Sequence, residues 1–288
     1  MLVLGFPDYD RQASALAKAL NAPYRLIELH RFPDGESQLR LPPALPGQVV
    51  LCRSLDRPNG KLVELLLAAG CARQLGASQL ILVAPYLCYM RQDKAFRTGE
   101  AISQQIVGNF LAGLFDTLVT VDPHLHRVHS LAEAVPVRRA VAASAAPAMG
   151  AFLATRTGHP LLVGPDAESE QWVRTVAERA SLDYVIAHKT RRGDRQVEIR
   201  LPEHDYTGTD VVLVDDVLST GQTLASTARA LRESGARQVD VLVTHALIAS
   251  DALDTLRSAG VSEIWSSDSI PHPSNVLDLA PLLASALE

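Results

Sequence analysis

The sequence predicts an α/β protein built on parallel sheets with helices on both faces. Two observations carry the prediction. Short runs of branched apolar residues alternate with helix-like amphipathic stretches along almost the whole chain, which is the rhythm of repeated strand–helix–strand units. Runs such as Val211-Val212-Leu213-Val214 are apolar at every position, as expected for strands covered on both faces. In such sheets ligands gather at the C-terminal ends of the strands, and the polar clusters of this chain follow the apolar runs.

In chain order, Leu2 to Phe6 reads as a first strand, with no basic segment before it that would suggest a signal peptide. A helical stretch runs to Leu20, and Tyr24 to Leu29 is strand-like. Val49 to Cys52 leads into a long helix from about Asn59 to Leu75, which Gly76 closes. Leu80 to Ala84, a helix near Ile102 to Leu114 and Leu118 to Val121 complete a first half. The second half repeats the pattern with Leu161 to Val163, a helix near Glu170 to Ala180, Tyr184 to Ala187, Val211 to Val214, a helix from Leu224 to Glu233, and Val239 to Val243. Gly76-Ala77-Ser78-Gln79 and Gly235-Ala236-Arg237-Gln238 precede strands in the two halves, a faint sign of duplication. The Ala-rich stretch Ala140 to Ala154 is taken as the junction, giving domains at 1–146 and 147–288.

A chain of 288 residues suits two domains, each with its own core. Its 47% apolar and 20% charged residues are those of an ordinary globular protein. The net charge of −5 gives no reason to expect nucleic acid or an acidic membrane as partner. No apolar run is long enough to span a bilayer. Cys52, Cys71 and Cys88 lack metal-ligand spacing and read as reduced core thiols of a cytoplasmic protein.

The most informative segment follows Val214. Asp215 and Asp216 stand beside a short polar loop, Ser219-Thr220-Gly221-Gln222-Thr223, that opens a helix. Such a loop aims N–H groups, hydroxyls and a helix N-terminus at one anion, typically a phosphate. The two carboxylates suit hydroxyls or a metal, so a sugar phosphate meets both demands. An ordinary capped turn would explain Thr220 or Thr223, but not two adjacent acids.

Other clusters follow other strands. Phe32-Pro33-Asp34-Gly35-Glu36 contains a turn signal, and taken alone a hairpin with solvated acids explains it. Arg91-Gln92-Asp93 ends an aromatic loop after Ala84, where an Arg91–Asp93 ion pair is the plainer alternative. His124 and His126 follow Val121, and Asp166 follows Val163. His-x-His alone would suggest a transition metal, but no further nitrogen or thiolate ligand supports zinc. Asp166 with His124 could hold a cation bridging polyphosphate oxygens. Lys189 to Arg195 is a basic run, commonly a solvated face, yet one that leaves a strand end where cations could neutralise a phosphoryl group in transfer.

Taken in order, these pieces resemble the ribose-phosphate pyrophosphokinase, or phosphoribosyl pyrophosphate (PRPP) synthetase, family along nearly the whole chain. The matching pieces are F-x-D-G-E at 32–36, Y-x-x-Y-x-R-Q-D at 86–93, V-D-x-H at 121–124, Pro165-Asp166, Lys189 with Arg191, and the Asp-Asp-x-x-x-Thr-Gly loop at 215–221. Phe96 to Ser103 is similar to the archaeal-type branch. The resemblance implies two phosphoribosyltransferase-like domains with parallel sheets flanked by helices. It implies transfer of pyrophosphate from MgATP to the anomeric hydroxyl of ribose 5-phosphate, with Mg²⁺ as cofactor and a homo-oligomer, dimer or hexamer, as the assembly. It also implies that Phe32, Asp34, Glu36, Arg91 and Gln92 bind ATP, that His124 and Asp166 serve Mg²⁺, and that Lys189 and Arg191 are catalytic. Asp215 and Asp216 would hold the ribose hydroxyls, and Ser219, Thr220, Gly221, Gln222 and Thr223 the 5-phosphate. Glu168 and Glu170 depart from the family, which has a Gly-containing turn there, and this bears on the choice of pentose and donor. Two other readings are a non-catalytic relative serving as a regulatory subunit and a PRPP-consuming phosphoribosyltransferase; the second needs no nucleotide cluster in the first half.

Overall fold

The computed structural model describes residues 1–125, 128–156, 158–192 and 196–288, with backbone alone at 189–192 and 196–198. The chain divides into two compact units, residues 1–143 with 279–288, and residues 144–278. The sequence placed the junction at 146/147 and gave the C-terminus to the second domain. Instead, the helix Ala280–Leu287 belongs to the first unit, where Arg139 donates to the carbonyls of Ala286 and Leu287.

The first unit holds a six-stranded sheet. Its strands are β1 (Leu2–Gly5), β2 (Tyr24–Leu26), β5 (Gln48–Cys52), β6 (Gln79–Val83), β7 (Thr117–Val121) and β8 (Arg139–Ala143). Their order is β2-β1-β5-β6-β7-β8 and every pairing is parallel. A hairpin, β3 (Glu28–Arg31) and β4 (Ser37–Arg40), stands apart as a two-stranded sheet. The helices are α1 (Asp10–Ala19), α2 (Pro58–Gln74), α3 (Ser103–Leu114) and the short α4 (Leu131–Ala134). Leu4, Leu51, Leu82 and Leu118 are fully buried at the sheet's centre, each worth ~1.5–3 kcal/mol of burial.

The second unit repeats the design. Its sheet has β9 (Leu161–Gly164), β10 (Tyr184–Ile186), β13 (Asp210–Leu218), β14 (Gln238–Ala246), β15 (Val261–Ser267) and β16 (Asn275–Leu277). The order β10-β9-β13-β14-β15-β16 is that of the first sheet. Its detached hairpin is β11 (His188–Arg192) with β12 (Gln196–Arg200). Helices α5 (Ala146–Ala154), α6 (Glu170–Ala180), α7 (Gln222–Glu233) and α8 (Ala252–Ser258) complete it. The faint sequence repeat is a shared helix stop. Gly76 and Gly235 take φ of +95° and +96°, conformations that a side chain disfavours. Arg73 caps the carbonyls of Ala77 and Ser78, and Arg232 caps those of Ala236 and Arg237.

Three sequence expectations shift. Tyr24 to Leu29 is two strands: the fully buried Ile27 donates to Gly5 O at 2.8 Å, closing β2, and the chain then leaves the sheet for the hairpin. The Ala-rich stretch taken as a junction begins with β8, where the apolar pattern is weak because alanine has little strand preference. Finally, β13 runs on to Leu218, so Asp215 and Asp216 lie within the strand, with Asp215 opposite Val243 and Leu218 opposite Ala246. Pairing with β14 overrides the polarity that suggested an end at Val214. Among the described residues no helix is long and apolar enough to cross a membrane.

Candidate active site

In the second unit, β13 carries the acidic pair out of the core. Asp216 is buried and Asp215 half-buried. Asp215 Oδ1 accepts the Asp216 N–H at 3.0 Å. Burial, together with the nearby charges of Asp216 and Asp166, holds the Asp215 carboxyl well above the usual carboxylate range. Asp166, just past β9, is half-buried; its Oδ1 accepts the Glu168 N–H at 3.1 Å, and its carbonyl accepts the Ser169 hydroxyl at 2.6 Å. The structure therefore brings Asp166, Asp215 and Asp216 into one electrostatic group. Glu168 and Glu170 are exposed, in a short 3-10 turn and at the start of α6, where acids favour the positive end of a helix.

The loop after β13 is tight. Ser219 O accepts the Ala249 N–H at 3.1 Å, and Gly221 caps α7 at φ +72°. The helix begins at Gln222, two residues before the sequence placed it. Thr220 and Gln222 are exposed, while Ser219 and Thr223 are half-buried. The first N–H groups of any α-helix lack intrahelical partners, and a loop of this composition at a helix start is chemically suited to an anion.

In the first unit, Phe32 to Glu36 form the tip of the β3–β4 hairpin and are all exposed. Phe32 N donates to Glu36 O at 2.8 Å, Gly35 N donates to Phe32 O at 2.9 Å, and Asp34 Oδ1 accepts the Glu36 N–H at 3.1 Å. Phe32 stays 41% exposed, braced edge-on by the His30 ring. An aromatic ring held open at a hairpin tip can stack on a flat base. Arg91 is exposed on the loop between β6 and α3. Gln92 is fixed by the Ser103 hydroxyl at 3.0 Å and by the Gln104 N–H on its carbonyl at 3.2 Å. His124 is half-buried just beyond β7, next to Asp122, a non-glycine residue at φ +36°. His126 lies outside the described residues.

Lys189 and Arg191 sit on β11, opposite Ile199 and Val197 of β12; their side chains lie outside the described residues, as does the stretch 193–195 at the end of the basic run. Among the described residues no group of three or more His, Cys, Asp or Glu side chains is arranged to hold a metal.

A charged cluster escaped the sequence reading. Gln48 pairs with Gln79 in the first sheet and Asp210 with Gln238 in the second. Counted equally along each strand, Arg53 occupies the position that Asp215 takes in the second unit. Arg53 is completely buried over the Phe6 ring, with Asp8 at 2.9 Å and Glu64 at 2.6 Å. Lys61 joins Asp8 at 3.0 Å and Asp56 at 2.7 Å. Burial pushes the Asp8 and Glu64 carboxyls up, but their cationic partners outweigh it and hold both below the usual range. The signal was present: Arg53 follows Val49 to Cys52 as directly as Asp215 follows Val211 to Val214.

The paired sheets, each with a detached hairpin before a strand-loop-helix, define a protein made of two phosphoribosyltransferase-type units. Residues 1–114 match the profile of the N-terminal domain of ribose phosphate pyrophosphokinase, and residues 139–266 that of the phosphoribosyl transferase domain. Over its full length the chain is 37% identical to the ribose-phosphate pyrophosphokinase of Methanopyrus kandleri, covering 99% of that protein. It is 32% identical to the one of Sulfurisphaera tokodaii, over 99% of each. The crystal structure of phosphoribosylpyrophosphate synthetase from Mycobacterium smegmatis shares the fold, with a TM-score of 0.83 at 24% identity, over 99% of this chain and 96% of that one. The chain belongs to the ribose-phosphate pyrophosphokinase family.

Proposed function

We propose that the protein transfers the terminal diphosphate of MgATP to the anomeric hydroxyl of ribose 5-phosphate, yielding PRPP and AMP. The observation that carries this is the β13–α7 segment, which sets a carboxylate pair beside a polar loop at a helix start. Asp215 and Asp216 accept hydrogen bonds from the ribose hydroxyls, and Ser219 to Thr223 hold the 5-phosphate. Phe32, Asp34 and Glu36 on the hairpin tip, with Arg91 and Gln92, take the nucleotide. The anomeric oxygen attacks the β-phosphorus, the bond to the α-phosphate oxygen breaks, AMP leaves, and the hydroxyl proton passes to solvent. Such a step depends on alignment and charge neutralisation more than on a strong base, which is the part assigned to Lys189 and Arg191.

Mg²⁺ would neutralise and orient the polyphosphate. Asp166, Asp215 and Asp216 offer hard oxygen donors, and Mg²⁺ commonly takes one or two carboxylates while phosphates and water fill its shell. This fits a site without a complete protein-made cage. His124 is assigned to the ion from the family resemblance. Glu168 and Glu170, both exposed, leave ribose 5-phosphate and ATP as the expected pair. Homo-oligomerisation, as a dimer or hexamer, is supported by α2, where Val63, Leu66 and Leu67 remain exposed on one side. The free thiols suit a reducing cytoplasm, and the partners are small molecules, with neither nucleic acid nor membrane among them.

The test is incubation with MgATP and ribose 5-phosphate, followed by mass spectrometry. AMP and PRPP in equal amounts are expected. AMP without PRPP would redirect the proposal to another acceptor, and no turnover with any pentose phosphate would overturn it.

A further inference from the structure

We infer that Glu64 is a positioning residue that holds the β3–β4 hairpin, and with it Phe32, Asp34 and Glu36, in place for the nucleotide. The inference rests on the proposed role of that hairpin tip. Arg31 and Ser37 face each other as the last pair of the hairpin ladder, directly below the turn. Both bond the same carboxylate. Arg31 Nε lies 2.9 Å and its Nη2 3.3 Å from the Glu64 oxygens, and the Ser37 hydroxyl donates to Glu64 Oε1 at 2.9 Å. One side chain on α2 therefore clasps both strands at the neck of a hairpin that makes no ladder to the main sheet.

The clasp is anchored from below. Glu64 is 1% exposed, and Arg53 Nη1 meets its second oxygen at 2.6 Å. Arg53 continues directly from the central strand β5, and its Nε is held by Asp8 at 2.9 Å. A carboxylate fixed by a buried guanidinium has little freedom, so the two hairpin strands inherit the position of the sheet. The cluster contains Arg31, Arg53 and Lys61 against Asp8, Asp56 and Glu64, and so is balanced in charge. That balance favours an internal brace over an anion-binding site. The strand position that carries Asp215 in the second unit carries Arg53 in the first, where the strand end supports a hairpin.

The test uses the full-length protein with three variants. Arg31→Met removes the exposed end of the brace and leaves Arg53 paired with Glu64. Ser37→Ala removes the other strand's bond, and Glu64→Gln weakens the whole clasp. Arg31→Met is expected to raise KM for ATP about tenfold, the scale of losing hydrogen bonds to a charged group. KM for ribose 5-phosphate and kcat at saturating ATP should be unchanged, and Arg31→Lys should restore part of the loss. Hydrogen exchange on the free protein should speed up across residues 32–36 and stay constant in β1 and β5. The Arg31→Met/Glu64→Gln double variant should lose clearly less than the sum of the two single losses, because the two groups act through one contact. Unchanged exchange and unchanged KM for ATP in Arg31→Met would overturn the brace. Additive losses would also overturn it, since Arg31 would then be touching nucleotide itself. The exchange readout needs no turnover, so a protein that made no PRPP would sink the proposed function while the brace was still decided.

Discussion

Replacing Asp215 by Asn should make this protein more stable and much less able to use ribose 5-phosphate. Asp215 is half-buried on β13, and its carboxyl is pushed up by burial and by the charges of Asp216 and Asp166. Asparagine has the same shape, and its oxygen can still accept the Asp216 N–H. The substitution thus removes a carboxyl that is costly to ionise beside Asp216 and Asp166 while keeping the local hydrogen bond. Repulsion between neighbouring like charges amounts to a few kcal/mol at an effective dielectric of about 20. Relaxation and solvent reduce this, and stabilising changes at functional sites run to about 0.5–2 kcal/mol. A Tm rise of about 2–6 °C at neutral pH follows. The sign of the pH dependence is set by linkage. A carboxyl with a raised folded-state pKa keeps its proton in the native protein after the unfolded chain has released it, so its favourable contribution is lost as pH rises through the folded value. The advantage of Asn over Asp should therefore grow upward from the ordinary value of 3.8 and vanish below it. Thermal unfolding of both proteins across this range, without ligands, measures it. In kinetics, KM for ribose 5-phosphate should rise about 10- to 100-fold, the scale of losing a charged acceptor. A lower Tm for the variant, or an unchanged KM, would refute the account of Asp215 as a strained acceptor kept for the sugar.

Two further outcomes are expected. Lys189→Ala should lower turnover by about 10²–10³-fold with an unchanged melting curve, and near-wild-type turnover would remove Lys189 from its proposed role. Gly108→Ala should destabilise the first unit, because an added Cβ would collide with the Ala134 carbonyl oxygen; overpacking of this kind costs about 1–3 kcal/mol or more, read as a loss in denaturant or thermal unfolding, and unchanged stability would contradict the contact between α3 and α4.

Much of this protein was legible in its residues because the signals are local. Val211 to Val214 announce a buried strand, and Gly76 and Gly235 announce helix ends, through side-chain preferences that operate within a few positions. The acidic pair and the Ser-Thr-Gly loop were visible for the same reason. The end of β13 was not, since Asp215 and Asp216 look like the close of a strand until β14 is there to pair with them. The edge strand β8 was hidden in an alanine run whose local preference says little.

The sequence by itself therefore determined the alternating α/β architecture, the family resemblance and the residues proposed for chemistry. Only the tertiary structure decided that the last helix returns to the first unit and that β13 carries its acids inside a ladder. It alone joined Arg53, Glu64, Arg31 and Ser37, which are spread over 34 positions of chain, into one cluster. The physical reason is that such contacts depend on how sheets and helices pack, and a charge pairs with whatever packing brings near it. Arg53 and Asp215 show this most directly: equivalent strand positions, opposite charges, and different neighbours to satisfy.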